Sequence, residues 1–208
     1  MKHNIQFISN YQSEISHYDQ IRQVIEGGIK WVQYRPKEMD INLALEEGRR
    51  IAQLCAKNNA TLIINDNVEL AQVLDADGVH LGKSDLCPLK ARAILGANKI
   101  IGGTANTFED ILDLLEKGCN YVGLGPYKFT NTKKNLSPIV GLEGYAKICN
   151  QLSLAQVNID LVAIGGVKTE DIPLLLNVGI ENIAVSSLLS EAKNIKVASR
   201  QLTNHYIK

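Results

Sequence analysis

Two acidic residues each follow a short apolar run: Leu62-Ile63-Ile64-Asn65-Asp66, and Gly78-Val79-His80-Leu81 followed by Gly82-Lys83-Ser84-Asp85. Apolar runs of this length read as strands buried on both faces. A short helical pattern separates them, so the strands are expected to be parallel neighbours, with Asp66 and Asp85 emerging at the same end of the sheet. Two carboxylates that leave positions open for water and phosphate oxygens suit Mg2+ rather than a closed calcium or zinc cage. Taken singly, Asn65-Asp66 is a common turn and Ser84 or Asp85 a helix cap. Their joint position beside cations favours the metal.

Those cations come from two places. Gln33, Arg35 and Lys37 alternate, so they face one side if the strand pattern continues, and Pro36 biases Arg35 toward extended geometry. Arginine grips phosphate oxygens bidentately and lysine adds a point charge. Lys133-Lys134 forms a second basic cluster. Gly165-Gly166 after one apolar run and Ser186-Ser187 after the next form a phosphate-type pattern. Glycine admits close backbone approach, and hydroxyls and N–H groups meet the anion. The plainer alternative is a tight turn followed by helix caps. Two separated anion sites imply two phosphorylated substrates or one bisphosphate. Thr104, Thr130 and Thr132 add hydroxyls. His80 reads as a packed residue within a strand, and His3, His17 and His205 as peripheral. No Ser-His-Asp or Cys-His constellation is present, so the chemistry rests on stabilising a charged leaving group rather than on a general base.

The elements that must position these residues alternate from end to end. Strands are expected at 5–8, 31–34, 62–64, 78–81, 99–101, 121–124, 161–164 and 182–185. Helices are expected at 14–26, 41–58, 68–74, 88–95, 108–117, 142–154 and 170–177, with a last one near 188–202. Eight βα units in 208 residues predict an α/β protein made of a single (β/α)8 TIM barrel domain, residues 1–208. An open doubly wound sheet is the runner-up, but no Gly-x-Gly-x-x-Gly follows the first strand. In a barrel every candidate above falls at the C-terminal rim, where such folds keep their sites. The longest irregular stretch, 125–141, follows the sixth strand, where a long loop is functional more often than not.

Composition narrows the partners. Lys and Arg number 22 against 22 Asp and Glu, which gives no general attraction to nucleic acid or anionic membrane. Four scattered cysteines without CxxC spacing fit reduced thiols. No secretory signal or membrane-spanning run is apparent, so a cytoplasmic protein with small phosphorylated substrates is expected. The sequence leaves a homo-oligomer open.

Together the motifs resemble the thiamine phosphate synthase family. They are Gln33-Tyr34-Arg35-Pro36-Lys37, Ile64-Asn65-Asp66, Asp77-Gly78-Val79-His80-Leu81-Gly82 through Asp85, Tyr121-Val122-Gly123-Leu124-Gly125-Pro126, Thr130-Asn131-Thr132-Lys133-Lys134, Ala163-Ile164-Gly165-Gly166-Val167 and Ser186-Ser187. The resemblance implies a transferase that joins 4-amino-2-methyl-5-(diphosphooxymethyl)pyrimidine to a thiazole phosphate carboxylate, releasing diphosphate and CO2 with the help of Mg2+. It assigns Asp66 and Asp85 to the metal. Gln33, Arg35, Lys37, Asn65, Thr104 and Lys133 go to the pyrimidine diphosphate, with Arg35, Lys37 and Lys133 as the catalytic cations. Thr130, Thr132, Gly166, Ser186 and Ser187 go to the thiazole phosphate. Departures from the family pattern fall at Pro36, at Phe129, at Asn135 and in Thr104-Ala105-Asn106, where Ser-Ala-His is usual. A thiazole tautomerase on the same barrel is the near alternative. A phosphorylated-sugar isomerase and a non-catalytic sensor are more distant ones.

Overall fold

The computed structural model describes residues 4–129 and 138–206. Eight strands close into one parallel barrel in sequence order, and the last pairs back with the first. They are β1 (Ile5–Ile8), β2 (Trp31–Tyr34), β3 (Thr61–Asn65), β4 (Gly78–Leu81), β5 (Ile100–Ala105), β6 (Tyr121–Leu124), β7 (Asp160–Ile164) and β8 (Asn182–Val185). Between them lie α1 (His17–Glu26), α2 (Ile41–Lys57), α3 (Val68–Val73), α4 (Pro88–Leu95), α5 (Phe108–Glu116), α6 (Gly141–Leu154) and α7 (Ile172–Asn177); α8 (Ser187–Ser190) and α9 (Ile195–Thr203) follow β8. The expected barrel is the observed one.

The strands lack polar alternation because each buries both faces. Phe7, Val32, Tyr34, Leu62, Ile64, Val79 and Leu81 belong to the outer core shared with the helices, whereas Ile8, Trp31, Ile63, Tyr121, Val162 and Ala184 fill the barrel interior. Alternation along the strand decides the side: Trp31 and Gln33 go in, Val32 and Tyr34 go out. Tyr34 carries its hydroxyl out to Glu47 of α2 at 3.1 Å. At the opposite rim Asp77 accepts from the Leu62 amide at 2.7 Å, which ties the start of β4 to the start of β3.

Three boundaries differ from expectation by more than two residues, each for a local reason. Ser16 caps α1 by accepting from the Asp19 amide, so residues 14–16 lie in the β1–α1 loop rather than in the helix. The last helix is two: α8 stops at Ser190, and Asn194 caps a fresh start by accepting from the Val197 amide. Strand β5 runs on to Ala105, so Thr104 lies within the strand, paired in register with Gly123, rather than in the loop beyond it. Among the described residues no helix is long and apolar enough to cross a membrane, and all four cysteines are free thiols.

Candidate active site

Register places Asn65 beside His80, so the ends of β3 and β4 are neighbours and Asp66 and Asp85 reach one rim. Asp66 is the first residue past β3, at φ 62°, and its amide donates to the His80 carbonyl at 2.8 Å. Asn67 then caps α3, accepting from the Leu70 amide at 2.8 Å. Asp85 is fixed from the other side, where the Gly82 amide donates to its Oδ2 at 2.6 Å. The two carboxyl groups come within hydrogen-bonding reach of each other. Burial and the Asp85 carboxylate push the Asp66 carboxyl up to about 6, while the Asn65 side chain and Arg35 pull in the opposite direction. Two carboxylates held close at that repulsive cost are a donor set that fits a divalent cation. Among the described residues no third His, Cys, Asp or Glu joins them, so the rest of such a coordination shell falls to water and ligand oxygens.

The cations divide into three groups. Arg35 is half-buried; its amide donates to Ser9 Oγ at 3.0 Å and its guanidinium lies 5.2 Å from the Tyr11 ring centroid. Burial lowers its pKa, partly offset by Asp66, Tyr11 and Glu38. Lys37 does not continue the alternation of β2. Strand pairing stops at Tyr34, the Lys37 amide donates back to the Arg35 carbonyl at 2.9 Å, and Glu38 sits at φ 64°. The chain turns there and leaves Lys37 exposed, whereas Gln33 is buried inside the barrel. The expected Gln33-Arg35-Lys37 face therefore ends at Arg35. Lys83 is held by Asp110 at 2.7 Å, and that carboxylate also accepts from the Asn106 and Thr107 amides. Because Lys83 is tied to the start of α5, Lys83→Met is expected to leave kcat/KM within about threefold, as for a surface ion pair. Steady-state kinetics of that variant check it.

Thr104 lies deeper than a rim residue, with Oγ1 3.1 Å from His80 Nε2. Asn106, at the position of the family's usual histidine, donates from its side chain to the Gly125 carbonyl. The chain past β6 then runs along β7: the Tyr127 amide donates to the Ile164 carbonyl and the Lys128 amide to the Gly165 carbonyl, both at 2.8 Å. Lys128 also pairs at 2.6 Å with buried Asp171. Gly165 and Gly166 both have positive φ, 91° and 68°. A Cβ on Gly166 would lie 2.7 Å from the Phe129 carbonyl oxygen. At the neighbouring end of β8, Ser186 Oγ is buried without a hydrogen-bond partner among the described residues, and although Ser186 stands at the N-cap of α8 its side chain makes no cap bond. An orphaned hydroxyl beside a glycine turn fits an anion and disfavours the simple cap. Ser187 follows, half-buried, as the first residue of α8. Thr130, Thr132, Lys133, Lys134 and Asn135 lie outside the described residues.

Sequence reasoning missed the end of β1. His17 is not peripheral: it is buried, with Nδ1 2.8 Å from Ser9 Oγ and its ring edge-on to Tyr34. Burial, the largest influence, and Arg35 lower its pKa against the opposing pull of Glu47. Ser9 accepts from the Arg35 amide, so His17 and Ser9 together hold the backbone that carries Arg35. The available signal was Ser9-Asn10-Tyr11 directly after the first apolar run, a polar exit like those after the other strands.

A profile described as thiamine monophosphate synthase matches residues 5–189. A protein of Flavobacterium johnsoniae named thiamine-phosphate synthase is 46% identical over 205 residues, covering 97% of this chain and 95% of that one. One of Phocaeicola vulgatus with the same name is 44% identical over 200 residues, 96% of each chain. The solved thiamine phosphate pyrophosphorylase from Pyrococcus furiosus superposes with a TM-score of 0.85 at 30% identity, covering 97% of this chain and 94% of that one.

Proposed function

The chain belongs to the thiamine monophosphate synthase family, and from that premise we propose that its rim residues assemble a pyrimidine diphosphate and a thiazole phosphate carboxylate around the Asp66–Asp85 pair. The activity is that of a thiamine-phosphate synthase, a transferase. The tautomerase alternative gains no support from the matched relatives. The observation that carries the assignment of roles is the close carboxylate pair with Arg35 beside it.

The reaction breaks the bond between the pyrimidine methylene carbon and the diphosphate oxygen, which keeps the electron pair. The thiazole nitrogen then bonds to that carbon, and the ring carboxylate departs as CO2, leaving its electron pair on the ring carbon, which takes up a proton from water. Asp66 and Asp85 would hold Mg2+, which supplies counter-charge for the leaving diphosphate. Arg35, with Tyr11 against its guanidinium and Ser9 on its backbone, grips diphosphate oxygens from the other side. Lys37, from the surface, and Lys133 add charge, and Asn65, beside Asp66, faces the same ligand. Gly166, Ser186 and Ser187, with Thr130 and Thr132, take the thiazole phosphate, the orphaned Ser186 hydroxyl donating to it. Gln33 and Thr104 reach the pyrimidine ring from the barrel interior. Free thiols and balanced charge support a cytoplasmic site of action on small phosphorylated substrates.

Purified protein mixed with both phosphorylated precursors and Mg2+ is expected to form thiamine phosphate and diphosphate in equal amounts. Omission of the metal, or chelation, is expected to abolish turnover. Product formed at an unchanged rate without any divalent ion sinks the metal assignment, and no product under any divalent ion sinks the reaction.

A further inference from the structure

A barrel interior that serves packing alone is filled by branched apolar side chains. This one also buries Gln6 of β1, Gln33 of β2, His80 of β4 and Tyr121 of β6. They form one continuous chain of hydrogen bonds. Gln33 Nε2 donates to Gln6 Oε1 at 3.2 Å, and Gln6 Nε2 donates to the Tyr121 hydroxyl oxygen at 3.2 Å. That oxygen lies 3.1 Å from His80 Nδ1, and His80 Nε2 lies 3.1 Å from Thr104 Oγ1 of β5.

Two glycines are shaped around this chain. A Cβ on Gly102 would lie 2.2 Å from the Tyr121 ring, and one on Gly123 would lie 3.1 Å from His80 Cε1. Neither has a positive φ, so backbone conformation does not require glycine at either place. The space is kept for the two rings.

The direction of each bond fixes the next. The Tyr121 oxygen accepts from the Gln6 N–H, and among its described partners His80 Nδ1 is the one that can take its own proton. A neutral imidazole that accepts at Nδ1 carries its proton on Nε2. That proton goes to Thr104 Oγ1, and the Thr104 hydroxyl proton is turned away from His80. At the other end the Gln33 amide nitrogen donates to Gln6, which leaves Oε1 as its acceptor. We propose that Gln6, Tyr121 and His80 are positioning residues that hold Thr104 as a donor and Gln33 as an acceptor toward the pyrimidine, so that the pocket selects an amino group beside a ring nitrogen over the 4-oxo ring. The 4-oxo ring presents the opposite pattern, an acceptor beside an N–H. The specificity rests on the reading above that Gln33 and Thr104 face the pyrimidine. The direction of the chain does not.

Nitrogen-15 NMR of the ligand-free protein reads the direction. The His80 ring is expected as the neutral Nε2–H form; the Nδ1–H form reverses both His80 bonds and overturns the proposal. This measurement needs no substrate, so it decides the hydrogen-bond chain even were the synthase reading to fail. Kinetics read the consequence. Tyr121→Phe keeps the ring that meets Trp31 edge-on and removes only the hydroxyl. It is expected to raise KM for the pyrimidine diphosphate and to cut the preference for the 4-amino over the 4-oxo substrate by at least about tenfold, with KM for the thiazole phosphate unchanged. Gly123→Ala, which presses on the His80 ring, is expected to shift the same ratio in the same direction. A folded Tyr121→Phe enzyme with the native amino/oxo preference, or one whose two KM values rise together, overturns the positioning role.

Discussion

Replacing Asp66 with asparagine is expected to lower turnover by about 10²–10³-fold and to raise the melting temperature of the metal-free protein by about 2–4 °C. The two effects have one cause. Asp66 faces Asp85 at a partly buried rim, and its carboxyl sits at about 6 rather than near 3.8. That difference corresponds to at most roughly 3 kcal/mol, and water at the rim reduces it to on the order of 1 kcal/mol. The folded-state pKa lies above the unfolded one, so the metal-free fold holds this proton more tightly than the unfolded chain does. Stability contributed by the group is therefore lost as pH rises from about 4 to about 6 and stays lost above that. Asparagine carries no such penalty. The gain in melting temperature is full at neutral pH and fades as pH falls through the same window. Asparagine is also the right probe for the backbone, because Asp66 sits at φ 62°, where alanine is strained and asparagine is tolerated. Thermal melts of both proteins across pH, with and without Mg2+, and turnover at saturating substrate check it. Native-like turnover with unaltered Mg2+ dependence in Asp66→Asn removes Asp66 from the metal site.

How much of this was legible in the sequence depended on whether a feature is local. The barrel was, because buried parallel strands write their burial directly as short apolar runs. Asp66 and Asp85 were legible because each lies close behind such a run, and register then makes neighbours of their strand ends. Lys37 was misplaced because alternation was carried past Tyr34, where Pro36 and the positive φ of Glu38 end it. Thr104 was read as a rim residue because the fifth strand was expected to stop at 101, before Gly102-Gly103; those glycines lie within the strand and make room, Gly102 for the Tyr121 ring and Gly103 for Leu114 of α5. No pattern along the chain marks a glycine that a residue far away requires. The same holds for His17, whose burial comes from Ser9 and Tyr34, and for the chain from Gln33 to Thr104, whose five members come from five strands.

The strand-seven turn shows how such a distant requirement is tested. Gly166→Ala is expected to raise KM for the thiazole phosphate at least about tenfold and to lower the melting temperature by several degrees, leaving KM for the pyrimidine diphosphate within about threefold. An alanine there meets two obstacles. Its φ of 68° costs roughly 1 kcal/mol without any contact. Its Cβ would also lie 2.7 Å from the Phe129 carbonyl oxygen and 3.0 Å from Lys128 Cβ. Those atoms cannot give way cheaply, because residues 127 and 128 are bonded to Ile164 and Gly165 through their amides and Lys128 is anchored on Asp171. Relief comes only from moving the turn itself, and with it the backbone beside Ser186. Gly179→Ala separates the two contributions. Gly179 has φ 89° with nothing within 4 Å of an added Cβ, and it lies before β8, at the rim opposite the site. That variant is expected to lose melting temperature with both KM values unchanged. If Gly166→Ala behaves like Gly179→Ala, the glycine turn after β7 is structural and the thiazole phosphate binds elsewhere on the rim.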